Sequence, residues 1–289
     1  MTYLYLAMAM SCSAITTVCG RLYNNINKDL SGVSRFYNML VPIFSSLGWF
    51  FIWIFDYSFD YRVLPYALSY GVCFSCYTIG LLGALRFGST SLTALVKQVA
   101  LVGVSIWGFF FWDTPFTTFG TVGIILIIIS LSLCLLSKEE KKENGNLAKW
   151  IFFVSLVFAG NAGGNIVQRY QQTAFNNQHK NMLMFFGLLF SSVVCTLLAL
   201  REKKTNWKSA FTKTWYFPAM TGIACAISNV FILLMIKRNA SPVIMYPGIA
   251  VGGLMLTTLI SLIFFREKLR PAQWLGIGVG AAALVLLNL

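Results

Sequence analysis

The feature that most constrains this sequence is a series of apolar runs, each about long enough to cross a lipid bilayer. A spanning helix needs about 20 mostly apolar residues, and ten such runs fit into the 289 residues with short connections. Apolar residues make up 57% of the chain and charged residues only 11%, so a water-soluble globule would expose excess apolar surface. The composition disfavours soluble enzymes and nucleic-acid-binding proteins and predicts an all-α membrane protein with ten transmembrane helices.

The boundaries of these helices follow from the polar and charged breaks between the apolar runs. The most hydrophilic connection, residues 138–146, is predicted to be a polar linker between two five-helix repeats, residues 1–137 and 147–289. An odd number of helices inserts the two repeats with opposite orientation, the inverted symmetry around which many secondary transporters alternate access. The helices are predicted near residues 2–22, 34–55, 63–86, 89–112, 116–137, 147–171, 180–200, 214–236, 241–265 and 271–289.

The distribution of basic residues between the two membrane faces predicts the topology. One face collects 16 of the 22 Lys and Arg residues, while the other holds Arg62, Arg169, Lys180, Lys237 and Arg238. By the positive-inside rule the richer face is cytoplasmic and both termini lie outside, which suits a multi-pass protein of a bacterial inner membrane. Most tryptophans fall near predicted helix ends, Trp49 among them, as in an interfacial aromatic belt.

Lys97 is the ionisable residue placed deepest in a predicted helix. It lies about eight residues, or about 12 Å, into helix four, and a charge at the bilayer centre costs about 2.5–3.5 kcal/mol. No Asp or Glu lies in the middle of any predicted helix to pair with it. Lys97 is therefore either a cavity-lining cation or a lysine whose flexible stem carries its ammonium to the interface.

Amide and hydroxyl side chains form faces on several predicted helices. Asn161, Asn165, Gln168 and Arg169 follow helical spacing in helix six, and a matching stripe that includes Thr17 lies on helix one. Such groups either line a wet cavity or bond neighbouring helices. Arg35 and Asn38 share a face of helix two, where an arginine could bind an anion or contact lipid head groups. The candidate binding residues are Lys97, Gln98, Asn161, Asn165, Asn229, Tyr246, Arg35, Asn38 and Thr17.

Other sequence features limit the possible chemistry and partners. No phosphate-binding glycine loop, nucleophile elbow or paired-carboxylate motif is present, so we expect no enzyme activity, cofactor or metal, and transport driven by a gradient. The expected partners are a small-molecule substrate and the lipid bilayer, without nucleic acid. Gly276 and Gly280 form a small-xxx-small pair on helix ten, which serves either a homodimer or packing within the chain.

Short motifs between the last two helices of each half carry a family resemblance. They are Phe264-Phe-Arg-Glu-Lys-Leu-Arg-Pro-Ala-Gln-Trp-Leu-Gly-Ile-Gly278 and the weaker Phe111-Trp-Asp113, together with Ser34-Arg-Phe-Tyr37 at the start of helix two. With the five-plus-five layout, the chain resembles EamA-like members of the drug/metabolite transporter superfamily. The resemblance implies transport of amino acids, nucleotide sugars, sugar phosphates, choline-like cations or drugs, and a lysine in helix four that meets an anionic group.

The sequence therefore predicts a secondary transporter of an anionic or zwitterionic polar metabolite, working by alternating access. The alternatives are an exporter of organic cations or hydrophobic drugs, with aromatic side chains around the cation, and a non-transporting membrane scaffold or receptor subunit. The first helix differs from that of the small multidrug members, because Ser11-Cys-Ser-Ala-Ile-Thr-Thr17 contains no acid.

Overall fold

A computed structural model describes residues 2–27, 33–87, 90–112, 118–135, 147–201, 214–264 and 271–286. These residues form ten α-helices and one short 3-10 turn, Tyr61–Val63, without a β-strand. The predicted all-α fold is confirmed for this part of the chain. The helices are α1 Thr2–Ile26, α2 Val33–Phe55, α3 Leu64–Phe87, α4 Thr90–Phe111, α5 Thr118–Leu135, α6 Leu147–Ala174, α7 Lys180–Leu200, α8 Tyr216–Lys237, α9 Pro242–Phe264 and α10 Pro271–Leu286.

Helix formation follows from the apolar sequence, because a lipid environment leaves backbone N–H and C=O groups no partners except one another. Six helices, α1, α2 and α6 to α9, are long and apolar enough to cross a membrane. Two helices run three or more residues past their predicted ends: α1 continues to Ile26 and α6 to Ala174, since polar residues at a membrane face can continue the backbone hydrogen-bond ladder. The predicted linker 138–146, and residues 113–117 and 265–270 of the family motifs, lie outside the described residues.

Hydrogen bonds join the ends of neighbouring helices at two faces of the bundle. At one face, which the distribution of basic residues predicts to be the outer one and which we call the outer face, Asn181 at the start of α7 donates to Asp56 after α2 at 2.8 Å. Asp60 also lies there and caps the 3-10 turn. Hydrogen bonds from the Arg62 side chain and backbone lower the pKa of this carboxyl to about 2. At the opposite face, Asn27 after α1 donates to Thr214 before α8.

Glycines bring α3 and α6 into direct backbone contact, and this is the most extensive helix pairing in the bundle. A Cβ atom at Gly160 would lie 2.5 Å from the carbonyl oxygen of Cys73 and from the amide nitrogen of Tyr77. A Cβ at Gly80 would lie 2.8 Å from the carbonyl oxygen of Phe153. This close crossing fixes α6, which also contacts α4, α7 and α8, at the middle of the bundle.

Substitution of Gly160 by alanine is expected to lower the free energy of unfolding by about 1–3 kcal/mol, because the added methyl group meets backbone atoms that cannot rotate away. Gly278→Ala is the matched control, since a methyl group added there would meet no atom beyond its chain neighbours and its own helix backbone within 4 Å. The melting temperatures of both purified variants in detergent measure the difference. A Gly160→Ala melting temperature equal to that of Gly278→Ala would contradict the close crossing.

Gly276 and Gly280 pack within the chain. Ser130 on α5 donates to the carbonyl oxygen of Gly276 at 2.6 Å, and a Cβ at Gly280 would lie 2.8 Å from Val251 on α9. This small-residue face of α10 is therefore covered. The opposite face of α10, with Trp274 and Leu275, is exposed, so a homodimer through α10 would have to use that face.

Candidate functional site

The amide side chains of α6 connect this helix to its neighbours in the middle of the bundle. Asn161 donates from Nδ2 to the backbone carbonyl oxygen of Lys97 on α4 at 2.8 Å. Asn165 donates to the carbonyl oxygen of Asn161 at 2.8 Å. Both side chains are half-buried, so each keeps a side-chain oxygen that can accept a hydrogen bond from another group.

A buried amide pair joins α6 to α8. Gln168 donates from Nε2 to Oδ1 of Asn229 at 2.9 Å, and Asn229 in turn donates to the carbonyl oxygen of Cys225 at 2.9 Å. Gln168 is 1% exposed and Asn229 is 9% exposed. The pair places polar atoms from the two helices at one point in the interior.

Lys97 lies next to the amides of α6, since its backbone carbonyl accepts the hydrogen bond from Asn161. The side chain is partly buried, and its charge acts on the thiol of Cys225, one turn before Asn229 on α8. The ammonium is therefore within electrostatic range of α8. None of the ten described helices contains an Asp or Glu, so no carboxylate from these helices balances the cation.

Three fully buried polar atoms around the amide pair have no hydrogen-bond partner among the described residues: Ser45 Oγ, Trp49 Nε1 and Gln168 Oε1. Ser45 and Trp49 are one turn apart on α2, and the Ser45 hydroxyl lies beside the Cys225 thiol but outside hydrogen-bonding geometry. Leaving such a group unpaired costs about 1–3 kcal/mol. The set offers an N–H donor, a hydroxyl and an amide acceptor, which is the complement of a ligand that carries hydroxyl groups.

Two buried tyrosines border the same region. Tyr70 on α3 is 3% exposed and lies beside Gln168 and Cys225. Tyr246 on α9 is fully buried, and its hydroxyl lies 3.5 Å from the carbonyl oxygen of Asn165. We call Lys97, Asn161, Asn165, Gln168, Asn229, Ser45, Trp49, Tyr70 and Tyr246 the central cluster.

Arg169 extends the polar face of α6 beyond the central cluster. Its guanidinium lies 4.8 Å from the ring centre of Trp112 at the end of α4, within the range of a cation–π contact. One guanidinium nitrogen donates to the carbonyl oxygen of Ala240 at 3.3 Å. Arg169 thus holds the outer end of α6 against the end of α4 and the segment before α9.

The structure brings Lys97, Asn161, Asn165, Asn229 and Tyr246 together, and it buries the predicted Gln98 next to Lys97 on α4. Three other predicted residues lie elsewhere. Thr17 is exposed and donates to the Ser13 carbonyl of its own helix. Arg35 is exposed at the beginning of α2, about 15 Å along the helix from Ser45. Asn38 donates to the Thr78 carbonyl at 2.8 Å and so joins α2 to α3.

Sequence reasoning missed Ser45, Trp49 and Tyr70. The position of Trp49 near a helix end suggested an interfacial residue, but the side chain is 1% exposed and belongs to the apolar core with Tyr70 and Ala226. The available signal was the spacing of Ser45 and Trp49 by four residues, which puts a hydroxyl and an indole N–H on one helix face. Apolar periodicity does not show which neighbouring helix that face contacts.

Comparison with known proteins gives one match to a protein family and others to individual chains. A family model described as "Sugar transport protein" matches residues 41–288, and that family is grouped with the EamA-type transporters in one clan. An uncharacterized protein of Haemophilus influenzae is 23% identical over 264 residues, which cover 89% of this chain and 85% of the relative. A protein of known crystal structure has a TM-score of 0.73 at 9% identity, covering 99% of this chain and 96% of the other. That likeness shows a shared fold.

Proposed function

Because the chain belongs to the sugar transport protein family, we propose that it is a secondary transporter for a sugar-like solute that carries a carboxylate or phosphate group. The protein is an integral, multi-pass membrane protein of a transporter family. The family description favours the sugar-bearing candidates, nucleotide sugars and sugar phosphates, over amino acids. Sugar acids share the same chemistry, hydroxyl groups together with one negative charge.

The observation that carries this proposal is the pairing of one cation with neutral amides in helices that contain no acid. Lys97 is available to a negative group on the solute, and charge-assisted hydrogen bonds are about twice as strong as neutral ones. Asn161, Asn165 and the amide pair of Gln168 and Asn229 offer neutral donors and acceptors for hydroxyl groups. A bare organic cation would be repelled by Lys97.

The proposed mechanism is alternating access between two inverted five-helix repeats, and the pattern of helix contacts supports it. In two such repeats, each helix of α1 to α5 has an equivalent five helices later in α6 to α10. The contact between α3 and α6 is then equivalent to the contact between α8 and α1. The contact between α3 and α7 is equivalent to the contact between α8 and α2. Both members of each pair are among the most extensive contacts in the bundle. The contacts of α2 with α7, α4 with α9 and α5 with α10 each join a helix to its own equivalent in the other half.

Close glycine contacts at equivalent crossings also support two repeats. Where α3 crosses α7, a Cβ at Gly71 would lie 2.6 Å from the carbonyl oxygen of Gly187. Where α8 crosses α2, a Cβ at Gly222 would lie 2.7 Å from the carbonyl oxygen of Val41. The central cluster draws residues from both halves, which is where a site shared by two rocking repeats belongs. Membership of the EamA-like group and a location in a bacterial inner membrane complete the proposal.

Uptake by proteoliposomes tests the proposal directly. The panel consists of glucose, glucuronate, a hexose phosphate, a nucleotide sugar, an amino acid and tetraethylammonium, each with an imposed concentration gradient. We expect saturable uptake of at least one anionic sugar, because only these compounds satisfy both Lys97 and the amide groups. The same compound is expected to raise the melting temperature of the purified protein, since binding to the folded state stabilises it.

The two alternative functions give different results in the same assay. Uptake of tetraethylammonium without uptake of any sugar would favour a cation exporter lined by aromatic side chains. No uptake above that of empty vesicles, together with no thermal shift for any compound, would favour a scaffold or receptor subunit. Either result would overturn the proposed transport of an anionic sugar.

A further inference from the structure

Gln172 is a buried amide that the central cluster does not use. The side chain is fully buried, yet neither Nε2 nor Oε1 has a hydrogen-bond partner within the ranges that the structure describes. Its backbone carbonyl accepts from Asn177 N at 2.7 Å, within the turn that leads to α7. Because native structures rarely leave both atoms of a buried amide unsatisfied, the side chain calls for a partner that the described part of the chain does not supply.

The position of Gln172 continues the polar face of α6. Asn161, Asn165, Gln168 and Gln172 are separated by four, three and four residues, which places all four on one side of the helix. Gln172 lies four residues beyond Gln168, about 6 Å closer to the outer face. The helix ends only two residues later, at Ala174. The unpaired amide is thus located between the central cluster and the outer face.

The neighbouring Gln171 shows what a structural glutamine does at this end of α6. It is also fully buried and its Oε1 atom is unpaired among the residues that the structure describes, but it donates from Nε2 to the carbonyl oxygen of Gln178 at 2.8 Å and so ties the turn to the helix. Gln172 makes no such bond. A role in holding the turn therefore accounts for Gln171 and leaves Gln172 unexplained.

We propose that the amide of Gln172 is a second binding subsite for hydroxyl groups of the transported solute, one helical turn outward from the central cluster. An amide offers two N–H donors and one acceptor oxygen, a combination that can engage two neighbouring hydroxyl groups of a sugar. The subsite rests on the proposed function, and it adds recognition of the part of the solute that lies away from Lys97. A solute held at both points spans the distance between Gln168 and Gln172.

The test compares Gln172→Leu with Gln171→Leu in proteoliposomes, using glucuronate and glucose as probes. Leucine keeps the approximate size and removes the unpaired amide, so Gln172→Leu is expected to keep or raise the melting temperature. Its KM for the transported probe is expected to rise roughly 5- to 50-fold, from the loss of one or two hydrogen bonds. Gln171→Leu is expected to lower the melting temperature and leave KM within about twofold, since it loses only the bond to Gln178.

The outcomes separate the subsite from the proposed function. If the wild-type protein transports a probe and Gln172→Leu has the same KM, the subsite is overturned and transport stands; an ordered water then satisfies the amide. If the wild-type protein neither transports nor binds any sugar of the panel, including both probes, the subsite and the proposed function are overturned together. Gln172→Met is the second variant, with the same expected rise in KM, in case the leucine variant does not fold.

Discussion

Replacing Lys97 with methionine is expected to lower kcat/KM for an anionic sugar by roughly 10- to 150-fold. The lost interaction is a hydrogen bond between two charged groups, worth about 1.5–3 kcal/mol. The variant is expected to fold, because Asn161 bonds the backbone carbonyl of residue 97 and not its side chain. Removing a partly buried charge with no acid in the surrounding helices is also expected to raise the melting temperature.

The control for this experiment is Lys149→Met, which removes an exposed lysine at the beginning of α6. Uptake by that variant is expected to stay within about twofold of the wild-type rate. Glucose gives an internal comparison. A neutral sugar has no negative group to pair with the ammonium, so its kcat/KM should fall much less in Lys97→Met. If Lys97→Met left the uptake and binding of every transported compound unchanged, the assignment of an anionic solute would be wrong.

The second large effect is expected at the amide pair that joins α6 to α8. Asn229→Leu leaves the buried Nε2 group of Gln168 without its oxygen acceptor, with only the weakly accepting sulfur of Met184 at 3.4 Å, at a cost of about 1–3 kcal/mol of stability. The double variant Gln168→Leu, Asn229→Leu removes both partners and is expected to recover most of that loss. Uptake is expected to fall at least about tenfold in both variants, because hydroxyl groups of the solute lose the same amides.

Melting temperature and uptake measured together decide between a structural and a binding role for this pair. Recovery of stability without recovery of uptake in the double variant supports binding. Recovery of both would show that the pair only holds the helices together. Ser155→Ala on α6 is the control, since this exposed hydroxyl bonds only the carbonyl of Ile151 in its own helix, and we expect no more than a twofold change.

Much of the fold could be predicted because lipid imposes a nearly fixed length on each spanning segment. The predicted and observed ends of α7 coincide at residues 180 and 200, where Lys180 and Arg201 bound an apolar run. Prediction was least accurate where the polar character increases gradually, as in Gln171-Gln172-Thr173 at the end of α6. A helix continues there although the apolar run has ended.

The site was harder to predict than the helices. Helical periodicity placed Asn161, Asn165 and Gln168 on one face of α6. The free-energy cost of placing a charge inside a bilayer identified Lys97 as a candidate. Which helix each face meets depends on packing between segments that are distant in sequence, such as those of Gln168 and Asn229, which are 61 positions apart. Trp49 shows the difficulty, since an indole N–H in an apolar sequence is equally suited to the lipid interface and to the interior.

The absence of acids from the ten described helices has an electrical consequence for the proposed carrier. When a monoanion binds beside Lys97, the formal charges of the two cancel, so the loaded protein reorients with little work against the transmembrane potential. The empty protein still carries the cation, and moving one elementary charge through 100 mV is worth about 2.3 kcal/mol. Membrane voltage would then act chiefly on the return of the empty carrier and set how quickly each cycle can begin again.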